Sequence, residues 1–124
     1  MEQPTQQDTN DFLEWANREI RKWQPILGLA NNSFEFEHSD VCQYIEISNR
    51  YPYLNHVIRF NDKAVLDFKK GKLDMSCMLH EMCHVLTNPL YLKGRKRFTT
   101  DTELDDEREL LTDTIACIIN RLKG

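Results

Sequence analysis

His80-Glu81-Met82-Cys83-His84 is the stretch on which the reading of this chain turns. It lies within Leu73–Thr87, whose apolar spacing predicts a helix. At ~100° per residue, His80 and His84 fall ~40° apart on one face, and Glu81 stands beside them. Two imidazoles so placed can share one metal ion, with the carboxylate in reach of a water on that ion. Met75, Met78, Leu79, Met82, Val85 and Leu86 fill the other side, so the helix reads as apolar behind and polar in front. Asp74 is the expected N-cap, and Asn88-Pro89 the expected end.

Working outward, Phe12, Trp15, Ala16, Ile20 and Trp23 recur at helical spacing. They predict a helix capped by Thr9 or Asn10 and ending near Trp23, before Pro25 and Gly28. Residues 1–9 are polar and read as a flexible N-terminus, leaving 10–124 as a single domain. Alternation predicts strands at Ser33–His38, Val41–Ser48 and His56–Phe60, joined by short links as an antiparallel meander. Asn61 is placed to cap a short helix running to Lys70, stopped by Gly71. Thr100 and Glu103 have capping-box spacing at the head of a last helix. Its apolar stripe is Leu104, Leu111, Ile115, Ile118, Ile119 and Leu122. The elements together predict an α+β fold.

Composition narrows the possible functions. The 124 residues are 40% hydrophobic and 29% charged, enough for one core and one ordinary globular domain. No apolar run approaches the ~20 residues of a membrane span, and Met1–Asn10 is too polar for a signal peptide. A net charge of −4 gives no overall attraction to nucleic acid or anionic lipid. Cys42, Cys77, Cys83 and Cys117 form no C-x-x-C pair, which fits reduced thiols and a cytoplasmic setting.

Two histidines leave a catalytic zinc site one protein ligand short. The last helix offers Glu109, with Asp113 four residues on and on the same face, beside the small residues Thr112 and Ala116. Glu109 can bind the metal while Asp113 accepts the free N–H of a ligand histidine and so fixes its tautomer. Glu107 is the alternative third ligand if the helix rolls toward its apolar stripe, and Glu103 lies in the same acidic run. Spacing alone leaves these open.

H-E-x-x-H followed on a later helix by E-x-x-x-D resembles the gluzincin branch of zinc metallopeptidases, whose arrangement is thermolysin-like. His80, Glu81, His84, Glu109 and Asp113 carry the resemblance, which covers roughly residues 55–122. The chain is also similar to small metallopeptidases of phages and prophages. The resemblance implies a minimal zincin-like core: an N-terminal helix, a small three-stranded antiparallel sheet, the metal helix and a C-terminal ligand helix. It implies Zn2+ as cofactor and a peptide or protein as substrate; the sequence departs from the large family members in offering no second domain to wall the far side of the cleft.

The chemistry expected of such a site is hydrolysis with Glu81 as general base. Tyr51, Tyr53, Tyr91 and His56 are the possible donors to a developing oxyanion, and spacing does not choose among them. His56–Phe60 is the expected edge strand for an extended substrate. Cys77 lies one turn before His80 and reads as part of the cleft wall. The basic run Lys93–Arg97 reads as a solvated connection before nucleic-acid contact is invoked. The competing reading is an interaction or regulatory protein in which the same ligands hold a structural zinc.

Overall fold

The computed structural model describes residues 2–49, 54–94 and 100–123. Four helices and one three-stranded sheet make an α+β fold: α1 (Gln6–Trp23), β1 (Ser33–His38), β2 (Ile45–Asn49), β3 (Asn55–Phe60), α2 (Asp62–Lys69), α3 (Cys77–Gly94) and α4 (Asp101–Lys123). None of these helices is long and apolar enough to cross a membrane.

α1 begins ahead of the cap that apolar spacing suggested. Thr5 Oγ1 accepts from the Asp8 amide at 3.1 Å, and the Thr5 amide donates to Asp8 Oδ2 at 2.8 Å. This reciprocal pair satisfies otherwise orphaned amides and carries the helix into the polar segment. Phe12, Trp15, Ala16, Ile20 and Trp23 are its buried face. Phe12 and Trp15 meet Phe68 of α2, and Phe12 also meets Phe60 of β3, so the N-terminal helix closes the core over the sheet.

The sheet departs from the expected meander. Its order is β1-β3-β2, with β1 parallel to β3 and β2 antiparallel to it. β3 is therefore the central strand and not the edge. Burial explains the placement: His56, Val57 and Ile58 are successive buried residues, so both faces of β3 are covered. β1 and β2 each keep alternate residues toward solvent and flank it. Val41, expected in the second strand, is 93% exposed and lies before it. β2 starts only after Tyr44, whose φ of 75° turns the chain into the sheet.

α3 runs from Cys77, not from Leu73, and passes through Pro89 to Gly94. Asp74 closes a turn on Ser76 in front of it. Proline removes one helical hydrogen bond, the one to the Val85 carbonyl, without ending the helix. Beyond it, Tyr91 holds the helix to α4 by lying under the Arg108 guanidinium. Met78, Leu79, Met82 and Cys83 are fully buried behind the motif, whereas Met75 and Leu86 are exposed.

The capping box of α4 is present, with Glu103 donating its amide to Thr100 Oγ1 and accepting from the Thr100 amide. Its apolar stripe packs only in part. Thr112 and Ala116 are the buried residues, Ile115 and Ile119 pack beside the core, and Leu111, Ile118 and Leu122 are exposed. Small side chains at 112 and 116 let α4 lie close to α3, which turns the polar flank of α4 toward His80 and His84.

Candidate metal centre

One turn of α3 brings His80, Glu81 and His84 together, with ligand atoms within 4.8 Å of one another, a group able to hold a metal ion. α4 adds a carboxylate. Glu109 Oε2 lies 3.1 Å from His84 Nε2, and Glu109 Oε1 lies 3.5 Å from His80 Nε2. The two Nε2 atoms are 3.1 Å apart.

The outer ring nitrogens decide what those inner atoms are. His80 Nδ1 is 2.6 Å from Asp113 Oδ1, and a carboxylate only accepts, so the proton sits on Nδ1. His84 Nδ1 faces Thr112 Oγ1 at 3.4 Å, and that hydroxyl is 2.9 Å from Thr87 Oγ1. With His84 donating to Thr112 and Thr112 donating to Thr87, the inner Nε2 is again a bare lone pair. Glu109 Oε2 is buried with no hydrogen-bond partner. In that tautomer of His84 three acceptors converge with no proton among them. A cation satisfies all three at once.

Glu81 is buried behind this point, with Oε1 4.0 Å from His80 Nε2. Burial, then the charges of Glu109 and Glu46, raise its pKa to about 8, against the lowering influence of Arg108 and the Ile47 amide. His84 is pushed down to about 4, first by burial and then by His80 and Arg108. A neutral imidazole is the form that binds metal, and a nearby cation would return Glu81 to its charged form.

The centre opens into a cleft of about 340 Å³, lined on one side by Gln43, Ile45, Glu46 and Ile47 and on the other by Asn88, Asp105, Arg108 and Glu109. The strand bordering the cleft is therefore β2, an edge strand whose Ile47 amide reaches Glu81.

Glu107 does not join the histidines; it lines a separate apolar hollow with Leu90, Leu104 and Leu111. Glu103 is engaged in the α4 cap. His56 is buried between Asn32 and Asn49 and does not line the cleft. Tyr91 stacks on Arg108, while Tyr51 and Tyr53 lie outside the described residues. Cys77 is only partly exposed, and burial followed by Asp74 and Glu81 pushes its thiol up to about 12, which leaves it unreactive beside the centre. Lys93 and Gly94 belong to the last turn of α3, and residues 95–97 of the basic run lie outside the described residues. Sequence reasoning missed Arg108, the cleft's cation, because its run Asp105-Asp106-Glu107-Arg108-Glu109 reads as an ordinary charged face. A second group, His38, Asp40 and Asp62, gathers at the surface where β1 ends and α2 begins, with His38 Nε2 2.7 Å from Asp62 Oδ1.

Comparison of the chain with protein families, with curated proteins and with solved structures finds no match, so what the centre does is argued from its own geometry.

Proposed function

We propose that this protein is a zinc-dependent peptide hydrolase built on a minimal zincin-like core. The observation that carries the reading is the convergence of three ligand-type atoms, His80 Nε2, His84 Nε2 and Glu109 Oε2, beside a buried carboxylate at the floor of an open cleft. Ligands ~2.0–2.1 Å from one zinc ion at tetrahedral angles stand roughly 3.3 Å apart. The separations of 3.1 to 3.5 Å among these atoms fit that shell. Two nitrogens and one carboxylate oxygen are also a donor set that suits zinc.

Zinc, when bound, supplies a Lewis acid that polarises a carbonyl and brings the pKa of water toward neutrality. Glu81 takes the proton of the attacking water on its carboxylate and passes it to the leaving amine. Asp113 and Thr112 hold the two imidazoles with their Nε2 atoms inward throughout. β2 presents an edge along the cleft, to which an extended peptide can add as a further strand. A structural zinc would need neither the open side nor the carboxylate at 81, and both favour the enzyme.

The test pairs elemental analysis with peptide hydrolysis. Glu81→Gln should keep one zinc per chain and lose on the order of 10²–10⁴ in kcat, the usual worth of a positioned acid–base group. Undiminished turnover in that variant would sink the mechanism, and wild-type protein free of zinc after purification in its presence would sink the cofactor.

A further inference from the structure

Behind the centre, a line of polar side chains crosses the sheet that neither metal binding nor packing accounts for. His56 of β3 is 3% exposed. Its Nε2 lies 2.7 Å from Asn32 Oδ1, and its Nδ1 lies 2.9 Å from Asn49 Nδ2. Asn49 ends β2 and accepts at Oδ1 from Asn88 Nδ2 of α3. Asn88 in turn accepts at Oδ1 from Arg108 Nη1 at 3.2 Å. Arg108 is held further by Asp105 and by the ring of Tyr91, 3.9 Å below its guanidinium. Its Nε is buried without a hydrogen-bond partner and sits 3.6 Å from Glu109 Oε2.

The direction of every bond in this line follows from one end. A guanidinium only donates, so Asn88 must turn its oxygen to Arg108 and its nitrogen to Asn49. Asn49 must then turn its nitrogen to His56, whose Nδ1 has to accept. The ring proton therefore stands on Nε2 and goes to Asn32. Nothing in the line can flip alone without setting two donors or two acceptors face to face, which costs the desolvation of each. Such a network has one low-energy arrangement, and it joins both edges of the sheet to the ligand helix.

We propose that Asn88 and His56 are positioning residues for the metal centre: their line of hydrogen bonds fixes Arg108, and Arg108 fixes where the Glu109 carboxylate stands. This rests on the reading of Glu109 as a metal ligand. The Glu109 side chain is 42% exposed and has no hydrogen bond at Oε2, and Arg108 Nε stands 3.6 Å from that oxygen, an ion pair through which Arg108 can orient it. Groups that orient a metal ligand typically contribute 10–100-fold in metal affinity.

The experiment measures zinc affinity by competition with a chromophoric chelator and records the visible spectrum of the Co2+ form. Asn88→Leu and Arg108→Gln should weaken zinc binding 10–100-fold and shift the cobalt bands. His56→Phe, which keeps the ring against Phe34 but removes both bonds, should act in the same direction by a smaller factor. Far-UV circular dichroism of the metal-free variants checks folding, and Asn88→Ser replaces Asn88→Leu if the latter does not fold. Tight zinc binding by wild type with the same affinity and spectrum in the folded variants overturns the proposal and leaves the metal centre standing. A loss of thermal stability with zinc affinity unchanged also overturns it, since that is a purely structural role. Wild type that binds no zinc overturns the centre itself, and this inference with it.

Discussion

At the scale of single residues, the assignment of α4 carboxylates can be separated cleanly. Glu109 stands within 3.5 Å of both histidines, whereas Glu107 lies on the wall of a different hollow. Glu109→Ala should therefore lose zinc in elemental analysis, and Glu107→Ala should keep it at full stoichiometry. The opposite pattern would move the ligand to Glu107. Glu81 carries a second, less obvious signature. Its folded pKa of about 8 lies above the ordinary value of 4.5, so the metal-free fold binds more protons than the unfolded chain between those values. That part of the stability is full below pH ~4.5 and is lost as pH rises through about 8. Metal-free Glu81→Gln should thus have a higher urea midpoint than wild type at pH 8, with the difference closing toward pH 4.5. A constant difference across that range would show that the carboxyl is not protonated in the fold. On the proposed mechanism, the substitution expected to remove turnover is thus also expected to stabilise, the usual trade-off between stability and activity.

At the scale of elements, the approach of α4 to α3 depends on small side chains. Ala116 is 7% exposed in the contact, and Thr112, one turn earlier, is fully buried with its hydroxyl on Thr87 and His84. Ala116→Leu should cost about 1–3 kcal/mol by overpacking and, by pushing α4 away, should weaken zinc binding as well. Denaturant midpoints and chelator competition measure the two effects. Readability from sequence divided along the same line. Local periodicity and caps place α2 and α4 within a residue or so, because a helix is specified by neighbours in the chain. Pairing of strands is not local. The order β1-β3-β2 follows from which strand can bury both faces, and the run His56-Val57-Ile58 looks, out of context, like any short apolar strand. The apolar stripe of α4 is borne out only in part: Ile115 and Ile119 pack beside the core with the small residues Thr112 and Ala116, whereas Leu111, Ile118 and Leu122 stay exposed. The meeting of His80 and His84 was readable as a helix repeat. The meeting of Arg108 with Asn88, Asn49 and His56 joins α4 to α3, β2 and β3, and no spacing announces it.

At the scale of the whole molecule, titration of buried histidines sets an acid limit. Burial lowers the pKa of His56, and lowers that of His84 to about 4, from the ordinary 6.5. The metal-free fold then binds fewer protons than the unfolded chain below pH ~6.5, so stability is full above that pH and falls as the pH is lowered. The melting temperature of metal-free protein should drop between pH 7 and pH 5, and His56→Phe should flatten that slope. Zinc should steepen it, because it holds His84 in the neutral form and so keeps the folded chain from taking up protons that the unfolded chain binds. An unchanged slope in both cases would place the acid sensitivity elsewhere.

The sheet order also bears on how the molecule comes into being. β1 and β2 do not touch each other, and each has β3 as its partner. A growing chain makes both flanking strands before the one that joins them, so for a time each offers open edges with nothing of its own to pair with. Glu81 emerges after the sheet is complete, and Glu109 and Asp113 emerge about thirty residues later still. The candidate metal centre is thus completed last, after all three strands of the sheet have been made, and the unfinished chain carries no complete centre while those strands stand unpaired.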